Sequence, residues 1–170
     1  MGGHAVLLIG VPALEGWIRE RTAFYDASFL SADPRFAHAH ITILAPCPPD
    51  LTLLTRVAAT VAPFDFTLRR CGQFPDGTIH LIPEPADGFT ALTAAARAAA
   101  PHIRPYWGRA EPAPHLTLDR TGPGVSVAST LSSLADVVPA RGRAEELLLT
   151  WWESDRCRVL GAAPLGDGTN

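Results

Sequence analysis

The sequence predicts an α+β fold of two pseudo-symmetric lobes, each an antiparallel β-sheet with flanking helices, around a central cleft. Three observations predict it. Strand-like and helix-like hydrophobic patterns are interspersed along the chain. A strand motif, His40-Ile-Thr-Ile, returns as His115-Leu-Thr-Leu. Each copy is followed, at the same spacing, by a helix start, at Asp50 and near Val125, and each helix leads into a long strand, near Phe64 and near Arg143. The symmetry is weak, with no identity outside the motif, but it points to two lobes sharing one domain over residues 1–170. With 170 residues, 47% hydrophobic and 18% charged, the chain can bury such a core.

In order, residues 4–10 read as a buried strand. Leu14, Trp17, Ile18, Arg21 and Tyr25 share helical spacing, so 13–25 is an amphipathic helix. A polar loop at 31–35 leads to a strand over 38–44, stopped by Pro46, Pro48 and Pro49. Asp50 is the N-cap of a helix carrying Leu51, Leu54, Val57, Ala58 and Val61. Strands at 64–70 and 78–82 form a hairpin through Asp76-Gly77. Phe89, Leu92, Ala96 and Ala99 mark a third helix, closed by Pro101. Residues 101–114 read as a proline-rich loop, followed by a strand at 115–119. A short helix carries Val127, Leu131 and Leu134. Strands at 143–152 and 156–161 close the fold, turning at 153–155, and the last few residues fray.

Composition narrows the function. Net charge is −3, the chain has no Lys, and all 14 cationic residues are Arg. No basic stripe exists to grip a long duplex, so a nucleic-acid ligand would be a short end or a small nucleotide. Cys47, Cys71 and Cys157 form no CxxC pair, so neither a zinc ribbon nor a thioredoxin motif is supported, and a reduced, cytoplasmic setting fits. No apolar run reaches about 18 residues, so no membrane span is expected. The Lys-free, Ala-rich composition reads as genomic bias.

On a strand, successive side chains point to opposite faces. His40 and Thr42 therefore share one face, as do His115 and Thr117, while Ile41, Ile43, Leu116 and Leu118 anchor the other face in a core. By chance such a motif would occur on the order of 0.05 times in a chain of this composition. Two imidazoles facing each other across a cleft can serve as base and acid in one reaction. Two hydroxyls beside them can hydrogen-bond the free oxygens of a phosphate. The constellation suits metal-free hydrolysis of a phosphodiester, most easily a strained cyclic one.

The doubled motif resembles that of the 2H phosphoesterase superfamily, and within it the bacterial 2′-5′ RNA ligase or RNA 2′,3′-cyclic phosphodiesterase branch. The resemblance also takes in the N-terminal strand and helix, the hairpin Gly72-Gln-Phe-Pro, the loop Pro105-Tyr-Trp-Gly and Pro114-His-Leu-Thr-Leu. It implies a hydrolase that opens a 2′,3′-cyclic phosphate, on an RNA end or small nucleotide, to a 2′-phosphate. His40 and His115 would be the acid/base pair, in an order that near-symmetry leaves open, and Thr42 and Thr117 would bind phosphate. Arg120 resembles a basic residue found at that place in some relatives. Its counterpart in the first half is Ala45, so the cationic grip is one-sided. No cofactor and no metal is implied, the partner is a nucleotide or RNA terminus, and a monomer is expected.

Tyr106, Trp107 and Phe36 are candidates for stacking on a base; a hydrophobic plug is the plain alternative for the first two. His38 and His40 could ligate zinc on one strand face, although no third ligand is evident; otherwise His38 tunes His40 or lies on the surface. Trp151 and Trp152 point to opposite faces, one core and one exposed or at an interface. Asp119, at the end of the motif strand, reads as a turn residue, and His4, His80 and His102 have no expected chemical role. The competing function is a module that holds a nucleotide or RNA end in the same cleft without turnover.

Overall fold

The computed structural model describes residues 2–167. Fraying at the very end of the chain, residues 168–170, lies outside them.

Strand β1 (His4–Gly10) is followed by helix α1 (Glu15–Asp26), strand β2 (His40–Cys47) and helix α2 (Leu51–Ala59). The β3 (Phe64–Gln73) and β4 (Thr78–Glu84) hairpin precedes helix α3 (Asp87–Ala99). Then come β5 (Leu116–Arg120), α4 (Val127–Ser133), β6 (Ala140–Ala144), β7 (Glu146–Trp152) and β8 (Arg158–Pro164). The strands form two four-stranded antiparallel sheets, ordered β2-β1-β7-β8 and β5-β4-β3-β6. The α+β class and the two antiparallel lobes are therefore as the sequence predicts.

The lobes are not consecutive half-chains, however. The long strands that follow α2 and α4 pair with each other, Phe64 with Ala144 through Leu68 with Ala140. One sheet is built from the middle of the chain and the other from its two ends. The stretch read as one strand, 143–152, is two strands in different sheets, broken at Glu145. Composition explains the break. Ala140–Ala144 alternates small and charged residues against β3, whereas Leu147, Leu148 and Leu149 are a buried run suited to a central strand.

Local chemistry sets the element ends. The Asp50 carboxylate caps α2, accepting from Thr52 N at 2.8 Å and Leu53 N at 3.4 Å. Ser126 and Ser129 form a reciprocal capping box at α4, next to the start expected near Val125. In the β3–β4 turn, Asp76 accepts from Thr78 N at 2.9 Å and Gly77 takes φ +94°, which only glycine adopts without strain.

The motif strands β2 and β5 are each at the edge of their sheet, and they touch each other. Their apolar residues, Ile41, Ile43, Leu116 and Leu118, are buried in one cluster that runs through both sheets, α2 and α3. Burying each such side chain contributes roughly 1.5–3 kcal/mol. That burial fixes the strand register, because a slip of one residue would put the aliphatic set in the cleft and the His and Thr in the core. Among the described residues no helix is long and apolar enough to cross a membrane.

Candidate active site

Both motif histidines are held in the same way. His40 Nδ1 donates to the carbonyl of His38 at 2.8 Å, and His115 Nδ1 donates to the carbonyl of Ala113 at 2.6 Å. In each neutral ring this leaves Nε2 as the lone-pair nitrogen. The repeat is thus a repeat of geometry as well as of sequence.

The cleft between the sheets has two chambers. His40, Arg120, Trp152 and Tyr25 line one, of about 430 Å³. His115, Phe74, Tyr106, Trp107 and Arg109 line the other, of about 780 Å³. Thr117 and Thr78 belong to both and mark where they join. The structure therefore brings together His40, His115, Thr117, Arg120, Tyr106 and Trp107 around one cleft. Thr42 is half-buried beside the Tyr106 hydroxyl; burial raises that hydroxyl's pKa, and Thr42 opposes the shift. Tyr106 and Trp107 reach the cleft from a turn in which both adopt left-handed backbone, φ 50° and 56°, followed by Gly108 at φ +78°. Two such non-glycine residues in a row cost on the order of 1–3 kcal/mol each, a strain typical of functional loops. Trp107 is 55% exposed, edge-on to His4.

Burial pushes the His40 imidazolium down to about 4. The His38 carbonyl and the Glu15 carboxylate oppose that shift, while charge on His115 or His38 adds to it. Burial also lowers His115; the Ala113 carbonyl and Asp76 oppose this, and His80 reinforces it. Both rings are thus set to lose their protons more readily than a free histidine.

The family model of the 2′-5′ RNA ligase superfamily matches residues 11–156. The chain belongs to the 2′-5′ RNA ligase superfamily. The expected resemblance to 2H phosphoesterases is borne out, and membership supports a phosphoesterase. This superfamily member is similar in fold to E. coli LigT complexed with 3′-AMP, at 20% identity and TM-score 0.60, covering 98% of this chain and 100% of that one. It is also similar to TT0787 of Thermus thermophilus, at 23% identity and TM-score 0.61, covering 96% and 98%. A third structure, described as a phosphoesterase, matches at 19% identity and TM-score 0.57, covering 98% and 100%. No curated protein matches the chain in sequence.

Several sequence expectations need correction in this superfamily member. Phe36 is 4% exposed and packs against His38 and Trp152, so its ring backs the site and offers no free face to a base. His38 is 3% exposed with both ring nitrogens engaged, Nδ1 with Glu15 at 2.6 Å and Nε2 with the Ser31 amide at 3.0 Å. It has no free nitrogen to share a zinc ion with His40. Neither Trp151 nor Trp152 is fully buried; Trp152 lines the cleft 5.1 Å from His40, centroid to centroid. Asp119 is no turn residue. It is buried at the cleft wall, ion-paired with Arg21 at 2.9 Å and hydrogen-bonded by the Tyr25 hydroxyl.

His80 was missed. It stacks on Phe74 at 3.9 Å and meets the His115 ring edge-on at 5.4 Å. Its place opposite Thr117 in the β4–β5 register is the signal that would have found it, once that pairing is known. Thr78, opposite Arg120, was missed for the same reason.

Proposed function

We propose that the chain is a metal-independent phosphodiesterase that hydrolyses a 2′,3′-cyclic phosphate, on an RNA end or a small nucleotide, to a 2′-phosphate. The observation that carries this is the pair of imidazoles on facing edge strands, each with Nδ1 bonded to a carbonyl and Nε2 left for proton transfer. In the reaction a water oxygen bonds to phosphorus while the bond from phosphorus to the ribose 3′ oxygen breaks. One histidine starts neutral and takes the water's proton; the other starts protonated and gives a proton to the departing oxygen. Each transfer contributes about 10²- to 10⁴-fold. Thr117, at the junction of the chambers, donates a hydrogen bond to a free phosphate oxygen, as does Thr42, and Arg120 supplies the cationic contact. Domain unity over residues 1–170 follows from this reading, since the two lobes share one reaction.

The nucleoside sits in the larger chamber, against Tyr106 and Trp107. Solved structures of E. coli LigT with 3′-AMP, ATP and NADP+ support a nucleotide ligand. No metal is needed, because the two imidazoles supply both proton transfers.

The test is hydrolysis of 2′,3′-cyclic nucleotides in EDTA. Turnover to the 2′-phosphate by the wild type, lost in His40→Ala and in His115→Ala, is expected. Activity abolished by chelator and restored by zinc contradicts the reading. Tight binding with no turnover identifies a binding module instead.

A further inference from the structure

The His40 ring is hydrogen-bonded through Nδ1 to one carbonyl, and that carbonyl is itself held. The peptide joining His38 and Ala39 donates its N–H to Glu15 Oε2 at 2.9 Å and presents its C=O to His40 Nδ1 at 2.8 Å. A trans peptide is planar, with N–H and C=O pointing in opposite directions. Pinning one end of that plane therefore aims the other.

Glu15 holds the same segment at two further points. Its Oε1 accepts from the His38 amide at 3.1 Å and pairs with His38 Nδ1 at 2.6 Å. The far side of the His38 ring is closed by the Ser31 amide, which donates to Nε2 at 3.0 Å. That bond places the His38 proton on Nδ1, facing the carboxylate. Glu15 lies in the first turn of α1, where the helix dipole favours a negative charge. Burial raises its carboxyl, but the bonds from His38 and Ala39 outweigh that and hold it below the usual carboxylate range.

We propose that Glu15, acting with His38, is a positioning residue for His40: it locks the 38–39 peptide so that the proton of His40 stays on Nδ1 and the Nε2 lone pair stays available to the cleft. Neither residue touches the reacting atoms. The matching support of His115 is the Ala113 carbonyl, in a loop.

The experiment follows the side-chain ¹⁵N signals of His40 and His115 by NMR in the wild type, Glu15→Ala and Glu15→Gln, together with kcat and KM on a 2′,3′-cyclic nucleotide. Glu15→Gln keeps the size and one acceptor oxygen, so it carries both readouts if Glu15→Ala does not fold. In the wild type the His40 proton is on Nδ1. In either folded variant His40 becomes a mixture of tautomers while His115 is unchanged, and kcat falls about 10- to 100-fold, as when a partner that orients a histidine is removed, with KM nearly constant. An unchanged His40 tautomer in the folded variants overturns the proposal, whether or not kcat falls, because a loss of rate would then come from general loosening. The kcat arm rests on the proposed phosphodiesterase reaction; the NMR arm needs no substrate. A wild type without turnover therefore fails that reading and leaves the tautomer to decide this one.

Discussion

The two histidines are alike in backbone and unlike in surroundings. His40 opens edge strand β2, His115 immediately precedes edge strand β5, and each bonds the carbonyl two residues back. Behind His40 is a polar clamp, Glu15 and His38, with Trp152 beside the ring. Behind His115 is an aromatic stack, Phe74 on His80, on the β3–β4 hairpin. A Cβ on Gly72 would fall 2.8 Å from His80 Nε2, so that glycine is what lets the stack pack against β3. Strand alternation decides where a side chain points; neighbours from distant parts of the chain decide how it ionises. The same motif can therefore yield two unequal groups, and a two-proton reaction needs that inequality.

The two proposed phosphate contacts offer the largest expected break in the comparison. Thr117 is exposed at the junction of the chambers, whereas Thr42 is half-buried, lines neither chamber and lies beside the Tyr106 hydroxyl. Thr117→Ala is expected to lower kcat by about 100- to 1000-fold, the range for losing one oxyanion donor, and Thr42→Ala by less. Equal losses in steady-state assays would mean that Thr42 leaves Tyr106 to bind substrate.

The aromatic residues come next. Trp107→Ala should weaken nucleotide binding by about 1–3 kcal/mol, the cost of one lost stack, with kcat little changed. Phe36→Leu, at a buried ring, should leave the dissociation constant as it was and lower the melting temperature instead. Calorimetric titration with a nucleotide reads the first and thermal unfolding the second.

The smallest effect concerns pH. Burial lowers both imidazoles, His40 to about 4. In an NMR titration His40 should therefore lose its proton at lower pH than His115, and both below the ordinary histidine value. One ring is neutral while the other is charged only between those two values. A bell-shaped kcat/KM profile peaking on the acid side of about pH 6.5 is expected. A profile flat between about pH 5 and 8 contradicts a two-histidine reaction.

Much of this was legible in the sequence, for physical reasons that stop at short range. The alternation of His40-Ile-Thr-Ile and His115-Leu-Thr-Leu is a period-two signal, and it gave both the strands and the side chains on their cleft face. The Asp50 cap and the Asp76-Gly77 turn are local bonds between near neighbours. Sheet membership was not legible, because β3 and β6 meet only through long-range pairing. Nor was the clamp, since Glu15 lies in α1 and its partners lie beyond the loop that follows it. Phe36 and His80 show the same limit in opposite directions. An aromatic that looked like a platform is buried, and a histidine without a motif is stacked beside one that has it.

The central claim is that His40 and His115 act as one unit on one phosphorus. A double-mutant cycle on turnover of a 2′,3′-cyclic nucleotide tests it most directly. His40→Ala, His115→Ala and the double variant should all fall to nearly the same residual rate, because removing either member of a unit removes the function of both. Losses that multiply in the double variant, or a single variant that stays within about tenfold of wild type when each transfer contributes about 10²- to 10⁴-fold, would contradict it.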